Sequence, residues 1–301
     1  DSYNVAIGYD ALTTATTGKE NTAVGSKSML ANTTGRNNAA FGAYSLDANT
    51  TGEANTAVGK SALGVNTTGA NNVAVGLNAL DANTTAANNT AVGTSALTSN
   101  TTGYLNTAVG ALALDANITG VANTAVGYNA LSAATGDGAT AVGKDALELN
   151  TSGVNTAVGS NALATVTTGT SNVAVGNDAL TVNTASNNTA VGKSALLANT
   201  TGANNTAVGK SALDANTLGG ANTAVGADAL SADTKGSRSV AIGIGALEVQ
   251  NFTSATNVHN TAVGFNAGGA VTTGINNTLI GALTGDALTD ADLNVAVGKG
   301  A

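Results

Sequence analysis

The 301-residue chain has no proline, cysteine or tryptophan, one methionine and one histidine, and its aromatic residues are 5 Tyr and 3 Phe. Without cysteine there is neither a disulfide nor a thiolate metal site, and the redox compartment leaves no trace in the sequence. His259 as the sole histidine excludes a multi-histidine metal cluster or relay. Charged residues make up 9% of the chain, against ~25% in an ordinary soluble domain. Lys and Arg number 10 against 18 Asp and Glu, a net charge of −8, so phosphates find no basic footprint and nucleic acid is not an expected partner. No apolar run approaches the ~20 residues that span a bilayer as a helix. A globular core of this length needs many more large side chains, so the expected core is thin.

What is present is repetition. Gly follows Val, Ile or Phe 18 times from Gly8 to Gly298; of the 17 intervals 13 are 17 residues long, three are 16 and one is 21. A typical unit reads Asn205, Thr206, Ala207, Val208 and Gly209, then Leu213, Asn216 and Gly219. Relative to the marker glycine, the preceding residue is aliphatic or Phe throughout. Two before it is Ala in 17 of 18 units, three before it is Thr in 12 and Val in five, and four before it is Asn in 16. Four after it stands Leu or Met in 15 consecutive units from Leu12 to Leu247, and the column breaks at Gly268 and Gly285.

Alternation over four residues closed by Gly is the pattern of a short strand with a corner where positive φ costs little. Thr or Val and the following Val or Ile share one face, expected to be mostly buried but tolerant of a hydroxyl; Ala occupies the other. Seventeen residues cannot bury a hydrophobic face alone, whereas stacked units join their columns into one core. The expectation is an all-β fold, a parallel β-solenoid of about 18 coils, with two short strands and two Gly-containing corners per coil. The second corner falls in Asn-Thr-Thr-Gly stretches such as Asn32 to Gly35, which favour turns. At ~4.8 Å per coil the stack is expected to be a rod on the order of 85 Å long. One continuous repeat domain is expected over 1–301, with the 16-residue units shortened in the second half of the coil and a lateral insertion near 248–260.

Competing architectures fit less well. A disordered chain has no use for strict aliphatic columns, and repeated Gly with clustered Asn and Thr opposes helix. The Gly-Gly-x-Gly-x-Asp pattern of a calcium-binding β-roll is missing. The Asn column reads as a ladder of amides bonded along the stack. The Ala column has two open readings: a flat surface where another protomer's backbone comes close, or a tight coil interior.

The pentads Asn172 to Gly176 (Asn-Val-Ala-Val-Gly), Ser239 to Gly243 (Ser-Val-Ala-Ile-Gly) and Asn4 to Gly8 (Asn-Val-Ala-Ile-Gly) resemble the head repeats of trimeric autotransporter adhesins. The longer unit, Asn55 to Leu63 followed by Asn66 to Gly69, is similar to stalk repeats of phage tail-fibre-like and secreted bacterial proteins. The resemblance covers essentially the whole chain, as a repeat. It implies a left-handed β-roll, a homotrimer and a place at the cell surface. The unit here is about three residues longer than the adhesin repeat, and the coiled-coil stalk, anchor strands and self-cleaving chaperone domain of such proteins are absent from this sequence.

Chemistry is sparse. The least repetitive stretch contains Glu248, Phe252 and His259, the candidate ligand-binding loop, since departures from a repeat often carry recognition. No catalytic, cofactor-binding or metal-ligating set is expected. Asp recurs after the Leu (Asp47, Asp81, Asp115, Asp214) and two after the glycine (Asp10, Asp145, Asp178, Asp228), too irregularly for calcium; a solvated face that limits lateral aggregation is expected instead. Sequons such as Asn32, Asn49, Asn66 and Asn199 are mostly turn chemistry repeated.

The leading expectation is a non-enzymatic extracellular protein at a cell surface or on a virion: a rigid shaft of an adhesin or tail fibre, or a self-assembling filament. It needs no cofactor and does not insert in a membrane; its partners are copies of itself, as a homotrimer or a head-to-tail polymer, and a host-surface receptor or glycan. Neither terminal sequence reads as a cap, which favours the head-to-tail form. A second expectation is ice binding through stacked Thr pairs, Thr33-Thr34, Thr50-Thr51, Thr67-Thr68 and Thr101-Thr102, interrupted at Ile118 and Val182. A polysaccharide-cleaving solenoid would need an acidic cleft and aromatic sugar platforms, and the sequence offers neither.

Overall fold

A computed structural model describes residues 2–151 and 153–301; Asp1, which as a processed or unprocessed terminus the sequence leaves open, lies outside them. The chain is a parallel β-solenoid of about 17 turns of about 17 residues, with no helix among the described residues. It divides into two compact units, Asp1–Val154 and Asn155–Ala301.

In the first unit, three-residue strands recur once per coil from Val5–Ile7 to Thr140–Val142. Each pairs parallel and in register with the next: Thr56 lies beside Val73, Ala57 beside Ala74 and Val58 beside Val75. The second unit repeats this from Thr156–Val158 to Val295–Val297, as where Thr206, Ala207 and Val208 meet Thr223, Ala224 and Val225. It also has a two-residue pairing, Gly236–Ser237 with Thr256–Asn257.

Apart from that short pairing, the expected second strand per coil is absent among the described residues. The Leu side is a chain of tight turns, with Ser61 at φ 55° and Leu63 at φ 52°. Its hydrogen bonds are three-residue closures: Ala62 N–H to Gly59 O at 3.4 Å, Gly64 N–H to Ser61 O at 3.3 Å and Asn66 N–H to Leu63 O at 3.2 Å. A left-handed conformation costs an ordinary residue roughly 1–2 kcal/mol. Two gains offset it at Leu63: the side chain is fully buried, worth about 1.5–3 kcal/mol, and the N–H donates to Ala79 O of the next coil at 3.0 Å. The turns therefore extend the inter-coil ladder around the coil without becoming strand.

The core is as thin as composition demands. In one coil Asn55, Ala57, Ala62, Leu63 and Asn66 are all fully buried, so two methyls, one isobutyl and two amides fill the cross-section. Ala at the centre of each strand thus faces inward, and the interior reading of that column holds. The Thr and Val flanking it point outward and are half-buried or exposed, which corrects the expectation of a mostly buried face. Facing alternates along a strand, and a section this narrow admits only the smallest side chain on the inner side.

Glycine is required at the strand's end. Gly59 has φ 133°, and a Cβ built there would lie 2.7 Å from the carbonyl carbon of Gly76 in the next coil. Backbone stacks on backbone at this corner.

Candidate functional site

Two amide ladders run inside the stack. At the start of each strand Asn38 Oδ1 accepts from the backbone N–H of Asn55 at 2.9 Å, and Asn55 Oδ1 from that of Asn72 at 3.0 Å. Their Nδ2 groups cross the coil to corner carbonyls, Asn38 to Gly52 and Asn55 to Gly69, each at 2.8 Å. At the second corner Asn49 Nδ2 donates to Asn32 Oδ1 and Asn66 Nδ2 to Asn49 Oδ1, both at 2.9 Å. The sequence reasoning that assigned these amides to a ladder holds, and the sequon residues Asn32, Asn49, Asn66 and Asn199 are fully buried within it.

The three candidate loop residues are not gathered into one site. Phe252 is buried, whereas Glu248 and His259 are exposed, and no hydrogen bond or ion pair of the described residues joins them. Glu248 lines a shallow depression with Asn266, Gly269, Leu283 and Asp286. The insertion is folded into the stack rather than projecting whole: Val258 is fully buried, and Thr256–Asn257 continues a ladder. Here the corner amides give way to Asp233 and Gln250. Gln250 Nε2 donates to Asp233 Oδ2 at 2.6 Å, Gly236 N–H to Asp233 Oδ1 at 2.9 Å, and Asn260 Nδ2 to Gln250 Oε1 at 2.8 Å. Sequence reasoning missed this network; its signal was register, since Asp233 and Gln250 follow Asn199 and Asn216 seven residues after their marker glycines.

The carboxylates after the Leu are less solvated than expected. Burial raises the carboxyls of Asp47, Asp81, Asp115 and Asp214 above the ordinary Asp value, with backbone amides opposing it. Asp81 repels Asp47 as well. Among the described residues no group of three or more His, Asp or Glu is placed to hold a metal ion, and no helix is long and apolar enough to cross a membrane.

The Thr-Thr corners and the strand Thr differ in how their hydroxyls are used. Thr33 Oγ1 donates to Thr50 O at 3.0 Å, Thr50 Oγ1 to Thr67 O at 3.1 Å and Thr67 Oγ1 to Thr84 O at 3.0 Å. The first Thr of each pair in the expected ice-binding array is therefore committed to the next coil. The strand threonines, such as Thr22, Thr56, Thr107, Thr206 and Thr223, form no side-chain hydrogen bond to the described chain. Beside them stand exposed Val58, Val109, Val142 and Val158. At these two outward positions no strand of either unit carries a charged residue. The outward strand face is thus an array of free hydroxyls and methyls repeated coil by coil. No protein-family model matches the chain, and no curated protein matches it.

Proposed function

We propose that the chain is a non-enzymatic structural repeat: a rigid extracellular shaft in an adhesin or tail fibre, or a segment of a surface filament. The observation that carries the reading is how the interior is used. In the repeating coils the inward side chains are alanine, leucine and ladder amides, so the coil section serves to stack the next coil. Asp233 is buried within the ladder network, and the other acids and bases of the described residues lie scattered, exposed or half-buried, where they do not converge as catalysis requires.

The extracellular location, the partnership with copies of itself as a homotrimer or head-to-tail polymer, and a host receptor or glycan at its end belong to the same reading. They are supported by the resemblance of the pentads to adhesin head repeats. Small-angle X-ray scattering of the whole chain, with its mass from light scattering, tests the proposal. An elongated particle is expected, with a mass of one chain or a small multiple; a compact globule overturns it.

A further inference from the structure

We propose that the outward Thr-x-Val face of each unit binds the ordered water of ice. Independently of any shaft role, three observations meet on this face.

The first is that its hydroxyls are free of the chain. The first, outward residue is Thr in six of the nine three-residue strands of each unit, and these side chains make no hydrogen bond to the described residues. The corner threonines, by contrast, donate to backbone carbonyls one coil on.

The second is spacing. In-register parallel strands repeat at ~4.8 Å, so each unit offers hydroxyls and methyls on that period. A water lattice with tetrahedral angles and O···O near ~2.75 Å places second-neighbour oxygens ~4.5 Å apart. The two periods agree within about a tenth, and no bulge interrupts the register, as at Thr206 beside Thr223 and Val208 beside Val225.

The third observation selects water over a second copy of the chain. The face of one unit measures roughly 40 Å by 7 Å from strand spacing and rise, about 300 Å², against the ~800 Å² per partner of a stable protein interface. A dry partner would strand the hydroxyls, at ~1–3 kcal/mol for each left unpaired. A water lattice pairs every one of them and leaves the flanking methyls of Val58 or Val109 in cages of ordered water. The face carries no charge to organise water differently.

The test is thermal hysteresis of the whole purified chain, with an inert protein at equal concentration as reference. Hysteresis with faceted ice crystals is expected. In the double variant Thr107→Lys and Thr206→Lys it is expected to fall toward the reference while the far-ultraviolet circular dichroism and melting temperature stay unchanged. Thr34→Lys and Thr51→Lys, at the exposed second Thr of the corner, are expected to leave it intact. Hysteresis equal to the reference overturns the proposal, and a multiple-chain mass in the same sample then assigns the face to copies of the chain. Loss in the corner variants alone also overturns it, moving the ice contact to the corner.

Discussion

Asn55 Oδ1 accepts the backbone N–H of Asn72 at 3.0 Å while its Nδ2 reaches across the coil to Gly69 O at 2.8 Å. One amide closes its own coil and ties it to the next. Asn55→Leu keeps the volume but leaves the buried Asn72 N–H without a partner, at a cost of about 1–3 kcal/mol, while Gly69 O keeps only its second donor, Asn66 Nδ2 at 3.0 Å. Urea denaturation of the variant is expected to show a loss of about 1–3 kcal/mol; an unchanged midpoint would mean that the ladder adds nothing to stability.

Adjacent leucines provide an internal control. Leu196 is fully buried and Leu197 is 36% exposed. Leu196→Ala is expected to cost about 2–5 kcal/mol through lost burial and the cavity left, and Leu197→Ala no more than about 0.5 kcal/mol. Equal losses by denaturation would place the core elsewhere.

Gly59→Ala tests the backbone stack. The residue holds φ 133°, and its Cβ would overlap the Gly76 carbonyl group. Strain and overpacking together predict a loss of about 3 kcal/mol or more, with failure to fold as the extreme. The control is Ala111→Gly, at the half-exposed position after a marker glycine, which is expected to cost less than about 1 kcal/mol. Similar melting temperatures for the two variants would contradict the close backbone approach.

Asp115 carries the pH dependence. Burial raises its carboxyl above the ordinary 3.8, and Oδ1 is buried without a hydrogen-bond partner. The folded state therefore holds the proton more tightly than the unfolded chain. The resulting stability is full below the unfolded value and is lost as pH rises through the folded one. Asp115→Asn is expected to raise the melting temperature at pH 7 and to leave it nearly unchanged near pH 3. A gain of the same size at both pH values would contradict burial as the cause.

The solenoid was legible because its strictest columns are its most constrained positions. Only Gly fits where Gly59 meets Gly76, only a small residue fits at Ala57, and Leu63 fills what remains. The Asn ladders were legible for the same reason. The geometry of the Leu side was not: Ser61 and Leu63 sit two apart with Ala62 between, which reads as strand alternation, yet both adopt positive φ. Nothing in a Ser-Ala-Leu run announces left-handed backbone; stacking imposes it. The facing of Thr56 and Val58 was misread because Thr and Val exchange suggested burial, whereas the narrow section reserves the inside for Ala. At the candidate site, composition pointed to the irregular stretch around Phe252, and packing drew that side chain inward.

Amide hydrogen exchange resolved to single residues tests the central claim, that each coil is laddered on its turn side as well as its strand side. Leu63 and Leu97 donate to Ala79 O and Ala113 O of the next coil, both at 3.0 Å, as Thr56 donates to Asn72 O at 2.8 Å. The account predicts comparably slow exchange at all three amides. Leucine amides exchanging at the rate of an unfolded chain, beside protected strands, would contradict it.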